Sequence, residues 1–191
     1  MASKTGIINL ALRNIAASRI TSATDGSKNA NVANDLYDET LERCLRAGNW
    51  NFATHRVKLV QLAAAPVSGF KNAFTKPADW VRTVAVHDND QGVGTVKFKL
   101  EGIGFLSDVE ELWLTYVRLE VDPNQMTADF RDYFARELAK GMALSVAASN
   151  TVREENREEV KAAKGTALSV DAIEDIPEQQ PQGSWVEDRP L

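Results

Sequence analysis

The stretch GNWNFATHRVKLVQL (residues 48–62) decides the fold, because the pattern of apolar residues changes within it. Before this stretch, apolar residues recur with the 3.6-residue period of a helix, and within it the period falls toward two. The segment KPADWVRTVAVHD (residues 76–88) repeats the alternation after a proline-containing turn. Gly48 and the asparagine after it predict that the preceding helix ends in a left-handed cap. We therefore expect Trp50 to lie at the joint between a helical layer and a small sheet.

The composition of the chain is that of a globular protein with a core of its own. Of its 191 residues, 43% are hydrophobic and 26% are charged, and the net charge is -5. This balance argues against a general nucleic-acid binder, which needs a basic surface to displace counterions. The single cysteine, Cys44, cannot form an internal disulfide, and the two histidines, His55 and His87, cannot complete a structural zinc site. We expect neither a metal nor a cofactor.

The N-terminal run MASKTGIINLALRNIAASRI (residues 1–20) has a lysine followed by apolar residues, as an export signal does. Asn9, Arg13 and Asn14 interrupt the apolar residues, so the run is not a signal of that kind. No segment approaches the roughly 20 apolar residues that a membrane-spanning helix needs. The sequence therefore predicts a protein that is made in the cytosol and has no membrane partner.

Helical periodicity predicts four helices. The first two span about residues 5–19 and 31–47, the longest begins after an N-cap at Thr127 and breaks near Ser149, and a highly charged one covers about residues 152–168. The longest is expected to be the core helix, because large apolar residues recur in it at four-residue spacing. These residues are Phe130, Phe134, Leu138 and Met142.

Alternating patterns between the helices predict four strands, at about residues 56–62, 81–87, 96–100 and 111–119. The connections between them are too short for crossover helices, so the sheet is expected to be antiparallel. The last strand is apolar on both faces, which predicts that it lies centrally in the sheet or that a helix covers its second face.

The predicted fold class is α+β, mainly α. A helical bundle is built from residues 1–50 and 120–170, residues 51–119 form a small antiparallel β-rich insertion, and residues 171–191 form an extended C-terminal arm. The arm contains three of the six prolines and six acidic residues against one arginine, and it also contains Trp185. Because an indole is a common interface anchor, we expect the arm to dock on a partner.

The residue types of an active site are present without a motif that places them. The sequence contains no P-loop, no dinucleotide-binding glycine pattern, no His-Glu-x-x-His and no nucleophile elbow. His55 is expected to be a surface or joint residue, and Cys44 lies on the apolar stripe of its helix. Asp79 with Glu101, or Glu110 with Glu111, remain alternatives for the carboxylate pair of a glycosidase. We expect no catalytic residues.

The order of six short blocks carries a resemblance that covers about residues 5–189. The blocks are W-N-F-A (50–53), F-x-K-P-x-D-W-x-R (74–82), W-L-x-Y (113–116), D-P (122–123), E-L-A-x-G-M-A (137–143) and S-W-x-x-x-R (184–189). In this order and spacing the chain resembles the tail tubular protein A family, the head-to-tail adaptors of short-tailed bacteriophages.

The resemblance implies a structural protein of the virion, made in the host cytoplasm and located at the head-tail junction. Its partners would be the portal protein, the tail nozzle protein and further copies of itself in a ring, typically of twelve subunits. DNA would be retained by the ring and pass through its lumen without sequence-specific binding. The family also looks like a helical bundle with a small β-rich insertion.

The resemblance further implies roles for individual residues. The arm would reach the portal or an adjacent subunit, with Trp185, Arg189 and Ile176 as its contacts. A second set would form the structural joint between the helical and β portions, namely Trp50, Phe52, Pro77 and Asp79.

Three alternatives remain open. The chain could be a head-completion or stopper protein of a long-tailed phage, which belongs to the same class of connector layers. It could be a tail-associated cell-wall hydrolase that uses Asp79 or Glu101. It could also be a helical adaptor outside any phage.

Overall fold

The computed structural model describes residues 2–102, 104–146 and 150–174, which form helices and two small sheets. The helices are α1 (Lys4–Asn14), α2 (Lys28–Arg46), α3 (Ala128–Val146) and α4 (Asn150–Ile173), and a single 3-10 turn covers Asn51–Ala53. The strands are β1 (Thr54–Lys58), β2 (Asn72–Thr75), β3 (Trp80–His87), β4 (Phe98–Glu101), β5 (Gly104–Ser107) and β6 (Trp113–Arg118). The predicted class, α+β and mainly α, is confirmed.

The helices pack around α3, which is the core helix that the sequence predicts. Its four residues at four-residue spacing are all completely buried, namely Phe130, Phe134, Leu138 and Met142. The predicted N-cap is confirmed as well, because Thr127 Oγ1 accepts a hydrogen bond of 3.3 Å from the backbone N–H of Phe130. Ser3 and Ser27 cap α1 and α2 in the same way.

Helix α1 ends at Asn14, five residues before the predicted end at Arg19. The chain turns at Ala16, which has a positive φ of 54°, and the N–H of Ala17 donates to Leu12 O at 2.9 Å. The Asn9 side chain then holds the returning chain, since it both accepts from and donates to the backbone of Ile20. These local bonds end the helix, although the sequence contains no glycine or proline at this point.

The β portion contains two three-stranded sheets where the sequence predicts one sheet of four strands. Sheet A has the order β1-β6-β3, sheet B has the order β2-β5-β4, and every pair is antiparallel as predicted. The central position of β6 in sheet A is also confirmed. Strands β2 and β5 have no counterpart among the predicted strands, and the sequence predicts the residues of β2 to be the approach to a turn. Both have only four residues, too few for a clear period of two.

Sheet A lies between two cores. Val81 and Val117 belong to the core that the helices form. Leu114 and Tyr116 belong to a second, smaller core, which includes Phe105 of sheet B. One face of β6 is therefore covered by the helical core at Val117, and the other face is covered by residues of the smaller core, as predicted for a strand that is apolar on both faces.

Two sequence predictions about the ends of helices are wrong. Gly48 does not adopt a left-handed conformation, and the last turn of α2 continues into a right-handed cap at Ala47. A Cβ atom at Gly48 would lie 2.5 Å from Leu168 Cδ2 and 3.1 Å from Trp50 Cε2, so this glycine lies where the packing is close. In addition, α4 extends to Ile173, so the segment from 171 to 173 is helical and is not the start of an extended arm.

Candidate functional site

Trp50 fills the centre of the joint between the helices and sheet A. Its side chain is completely buried, and its Nε1 donates to the backbone carbonyl of Cys44 at 3.0 Å, close to the end of α2. Its ring meets Phe130 edge to face at a centroid distance of 4.9 Å, and Phe52 meets the same phenyl ring at 4.9 Å. The first block of the resemblance is therefore the packing contact between the end of α2 and the start of α3.

Asn51 attaches the end of α4 to this joint. Its backbone N–H donates to both carboxylate oxygens of Asp171, at 3.1 and 3.2 Å, and its Nδ2 donates to the Asp171 carbonyl at 2.7 Å. Asp171 is 7% exposed, so these charge-assisted bonds are shielded from water. The chain beyond residue 174 consequently starts from a fixed point beside the joint. Sequence reasoning missed this clamp, because 120 residues separate its two members.

Pro77 and Asp79 make their hydrogen bonds inside the β portion. Asp79 Oδ1 accepts from the Tyr116 hydroxyl at 2.9 Å, and the Asp79 carbonyl accepts from the N–H of Leu119 at 2.7 Å. The Pro77 carbonyl accepts from the N–H of Trp80 at 3.2 Å. These bonds fix the start of β3 against the end of β6, whereas Trp50 and Phe52 make their ring contacts with α3. The four residues predicted for one joint thus serve two different contacts.

Arg46 is a joint residue that sequence reasoning missed. It ends α2, its Nη1 donates to the Val81 carbonyl at 2.8 Å, and its guanidinium carbon lies 5.9 Å from the centre of the Trp80 ring. It therefore ties α2 directly to β3. A basic residue in the last turn of a helix is favourable for the helix dipole alone, and the sequence contains no signal for a bond to a strand carbonyl.

The Cys44 thiol and the hydroxyls of Tyr116 and Tyr133 are buried groups that keep their protons at neutral pH. Burial raises the pKa of the Cys44 thiol to about 12, which removes the thiolate that a nucleophile needs. Burial, together with the hydrogen bond to Asp79, raises the pKa of Tyr116 to about 12. The pKa of Tyr133 is raised as well, first by burial and then by the nearby Cys44. Cys44 is accordingly a core residue.

Three of the four acids considered for a glycosidase pair have separate partners. Asp79 bonds to Tyr116, Glu101 pairs with Lys99 at 2.9 Å, and Glu111 pairs with Lys58 at 2.6 Å. Among residues 2–102, 104–146 and 150–174, no group of three or more His, Cys, Asp and Glu residues is arranged to hold a metal ion.

A shallow groove between α3 and α4 brings charged residues together. Its lining includes Asp129, Asp132, Arg136 and Glu159. Arg136 pairs with Asp132 at 2.8 Å on its own helix and with Glu159 across the groove. The cation is thus already matched by acids, and the groove works as a contact between helices.

The predicted partner contacts Trp185, Arg189 and Ile176 lie outside the described residues. Within the described ranges, no helix combines the length and the apolar character that crossing a membrane requires. No known family of proteins matches this chain, and a comparison with curated proteins likewise gives no match.

Proposed function

We propose that the chain is a structural virion protein, a head-to-tail adaptor that assembles as a ring between the portal protein and the tail nozzle of a short-tailed bacteriophage. The observation that carries this proposal is the ordered series of six sequence blocks from Trp50 to Arg189. In this role the ring retains packaged DNA and later conducts it.

The contacts between blocks support the proposal, because residues of different blocks depend on one another. Asp79 of the second block accepts a hydrogen bond from Tyr116 of the third. Trp80, also of the second block, follows the Pro77 turn and meets Arg46. Residues of the second and third blocks therefore hold β3 against β6, and Trp80 of the second block also contacts α2 at Arg46, which lies outside the blocks.

A fixed angle between the two portions also suits a ring subunit. Identical copies close a ring only if each copy presents its two contact surfaces at the same relative rotation. The buried Trp50, the Asn51–Asp171 clamp and the Arg46–Val81 bond all restrain that rotation. The joint supplies rigidity where such an assembly needs it.

The charge distribution fits a conduit for DNA. The acidic residues of segment 171–191 exceed its basic residues by five, which equals the net charge of the whole chain, so the remaining 170 residues are balanced. A balanced surface displaces few counterions from a duplex, and DNA can slide along it without tight binding.

Electron microscopy of the purified chain mixed with the portal ring of the same virus tests the proposal. We expect an added ring-shaped layer on one face of the portal, with twelve subunits by rotational averaging. A matched variant that lacks residues 175–191 keeps all of α4 and the Asp171 clamp. It should be folded by circular dichroism yet fail to form the layer.

Two results would overturn the proposal. One is a portal that remains bare when the full-length chain is present in excess. The other is a zone of cell-wall lysis in a zymogram that disappears when Asp79 or Glu101 is replaced by the corresponding amide, since this outcome would identify a hydrolase.

A further inference from the structure

A groove lies along the outer side of α1 and the turn that follows it. Its volume is about 540 Å³, and its lining includes Gly6, Leu10, Arg13, Ala16, Ala17 and Arg19. We call it the α1 groove. Its volume falls within the roughly 300–1,000 Å³ typical of binding pockets. The lining combines a small and apolar floor with two arginines, which is the composition of a site for an apolar anchor flanked by acids.

The two arginines of the α1 groove carry uncompensated positive charge. Both are exposed, and neither forms an ion pair with any residue in the described ranges. The first 24 residues of the chain contain Lys4, Arg13 and Arg19 and no acidic residue at all. The groove therefore belongs to a purely basic segment of an otherwise acidic protein.

The backbone around the α1 groove is held in place before anything binds. Asn9 accepts from the N–H of Ile20 at 2.9 Å and donates to its carbonyl at 3.0 Å. Ala16, in the wall, has a φ of 54°, a conformation that costs a residue with a side chain about 1–2 kcal/mol. A strained and internally braced wall is the kind of feature that concentrates at binding sites.

We propose that the α1 groove binds the acidic C-terminal segment, residues 175–191, of a neighbouring copy of the chain. This segment contains Asp175, Glu178, Glu187 and Asp188 against the single cation Arg189. A single valine separates Trp185 from Glu187 and Asp188, so an indole and two carboxylates lie close together in the sequence. The indole suits the apolar floor, and the carboxylates suit Arg13 and Arg19.

The positions of groove and segment favour a contact between copies. The clamp at Asn51 holds the end of α4 beside Trp50 and Phe130, close to the start of α3. The start of α1 is close to that point too, since the Ala2 N–H donates to Asn124. The arginines lie at the far end of α1 and beyond it. Segment and groove thus emerge at separated places, as a head-to-tail contact requires.

This inference rests on the proposed ring and names the contact that would close it. Seventeen extended residues reach up to about 55 Å, more than the length of any helix in the described ranges, so the segment can bridge to an adjacent subunit.

Disulfide trapping in the full-length chain tests the contact. The double variant Ala17→Cys/Val186→Cys places one thiol in the α1 groove and the other next to Trp185. Trp185 itself is unchanged in this variant. Cys44 does not interfere, because it is completely buried and burial raises the pKa of its thiol. After oxidation we expect a ladder of dimers, trimers and larger species on a non-reducing gel.

A matched control moves the groove thiol to Val93, which is 69% exposed on a turn of the β portion. Val93→Cys/Val186→Cys should give at least tenfold less ladder. Adding Arg13→Glu/Arg19→Glu to the groove variant should reduce its ladder about tenfold, and adding Glu187→Arg/Asp188→Arg as well should restore it.

Three outcomes overturn the contact: a fast-migrating monomer, which means that the segment binds its own groove; no cross-link; or equal ladders from the groove variant and its Val93 control. None of these outcomes involves the portal. A ladder without a layer on the portal would leave the contact standing and defeat the adaptor, and a layer without a ladder would do the reverse.

Discussion

The helical and β portions differ in where their large apolar side chains lie. Among the side chains that the structure describes, which do not include Leu144, none of the large apolar ones on α1, α2 or α3 is exposed. The exposed ones are in the β portion, in the link to α3 and at the end of α4: Val60, Leu62, Val67, Val93, Phe98, Leu100, Leu119, Val121, Val170 and Ile173. Helices α1 to α3 bury their large apolar side chains, whereas the β portion leaves part of its apolar surface exposed for contacts.

The two portions therefore differ in what they contribute to the molecule. The helical core contains the Trp50 cluster, which several rings share, and it anchors sheet A through Val81 and Val117. The β core is smaller, and its outer strand β4 is exposed along its whole length. Stability is therefore concentrated at the joint, and surface for partners is concentrated away from it.

Replacing Trp50 with alanine should have the largest effect of the changes considered. It removes a completely buried indole, its contact with Phe130 and its bond to the Cys44 carbonyl. The expected loss in the free energy of unfolding is about 3–5 kcal/mol, from lost burial and the cavity that remains. Urea denaturation followed by circular dichroism at 222 nm measures it.

The tryptophan of β6 provides the matched control. Trp113 Nε1 is buried, and within the described ranges it has no hydrogen-bond partner. Trp113→Phe should therefore leave the free energy of unfolding within about 0.5 kcal/mol of the wild type, whereas Trp50→Phe should cost about 1–2 kcal/mol. Equal costs for the two phenylalanine variants would show that stability is not concentrated at the joint.

Two closely packed glycines sharpen the comparison. A Cβ at Gly104 in β5 would lie 2.7 Å from the backbone oxygen of Phe74, and a Cβ at Gly48 would lie 2.5 Å from the end of the Leu168 side chain. A backbone atom in a sheet cannot rotate away, but a leucine methyl can. Gly104→Ala should therefore cost about 1–3 kcal/mol and Gly48→Ala less, as measured by urea denaturation.

Hydrogen exchange locates the effect of the Gly104 substitution within the molecule. Gly104→Ala should raise exchange in β2 and β5 while α3 stays protected, because the clash lies within sheet B. Uniform loss of protection in both portions would mean that the two cores unfold as one unit.

The sequence predicts the parts of the fold that have a clear apolar pattern or a recognisable capping residue. The core face of α3, its N-cap at Thr127 and the central place of β6 follow from spacing or residue type within one element, and all three are confirmed. The two four-residue strands β2 and β5 could not be predicted, because their pairing depends on chain segments about 30 residues apart.

The candidate site shows the same limit. Trp50 is recognisable from its place between two periodicities, but its bond to Cys44 and the clamp from Asn51 to Asp171 depend on tertiary approach. Gly48 carries the sharpest lesson. A glycine after a helix indicates a left-handed cap by local rules, whereas Gly48 has no positive φ and instead packs closely against Leu168 and Trp50.

Two of the three tyrosines, one in each core, allow the stability of the fold to be tested by pH. Burial raises the pKa of Tyr37 in the helical core to about 12, and burial with the bond to Asp79 does the same for Tyr116 in the β core. Because the folded pKa lies above the ordinary value of 10, this stabilisation is complete below pH 10 and is lost as the pH rises toward 12. Unfolding midpoints in urea at pH 7, 10 and 11 should fall in that order.

Phenylalanine variants separate the two hydroxyls. The Tyr116 hydroxyl donates to Asp79, so Tyr116→Phe should cost about 0.5–1.5 kcal/mol at pH 7. The Tyr37 hydroxyl is buried and has no partner in the part of the chain that the structure describes, so Tyr37→Phe should change stability by at most about 0.5 kcal/mol. The reverse order would show that the helical core depends on a polar contact that its packing does not reveal.

The smallest expected effect concerns Ala16, the one residue other than glycine with a positive φ among the residues that the structure describes. Four of the five glycines with positive φ in the described ranges lie in the β portion, where turns need them, whereas the end of α1 uses Ala16 in that conformation. Ala16→Gly should therefore raise the free energy of unfolding by about 0.5–1 kcal/mol, because glycine adopts positive φ without a steric cost. Ala17→Gly is the control and should be neutral or destabilising, since Ala17 has no positive φ. If Ala16→Gly stabilises the fold but weakens disulfide trapping in the α1 groove, the alanine is kept for the wall its methyl group forms.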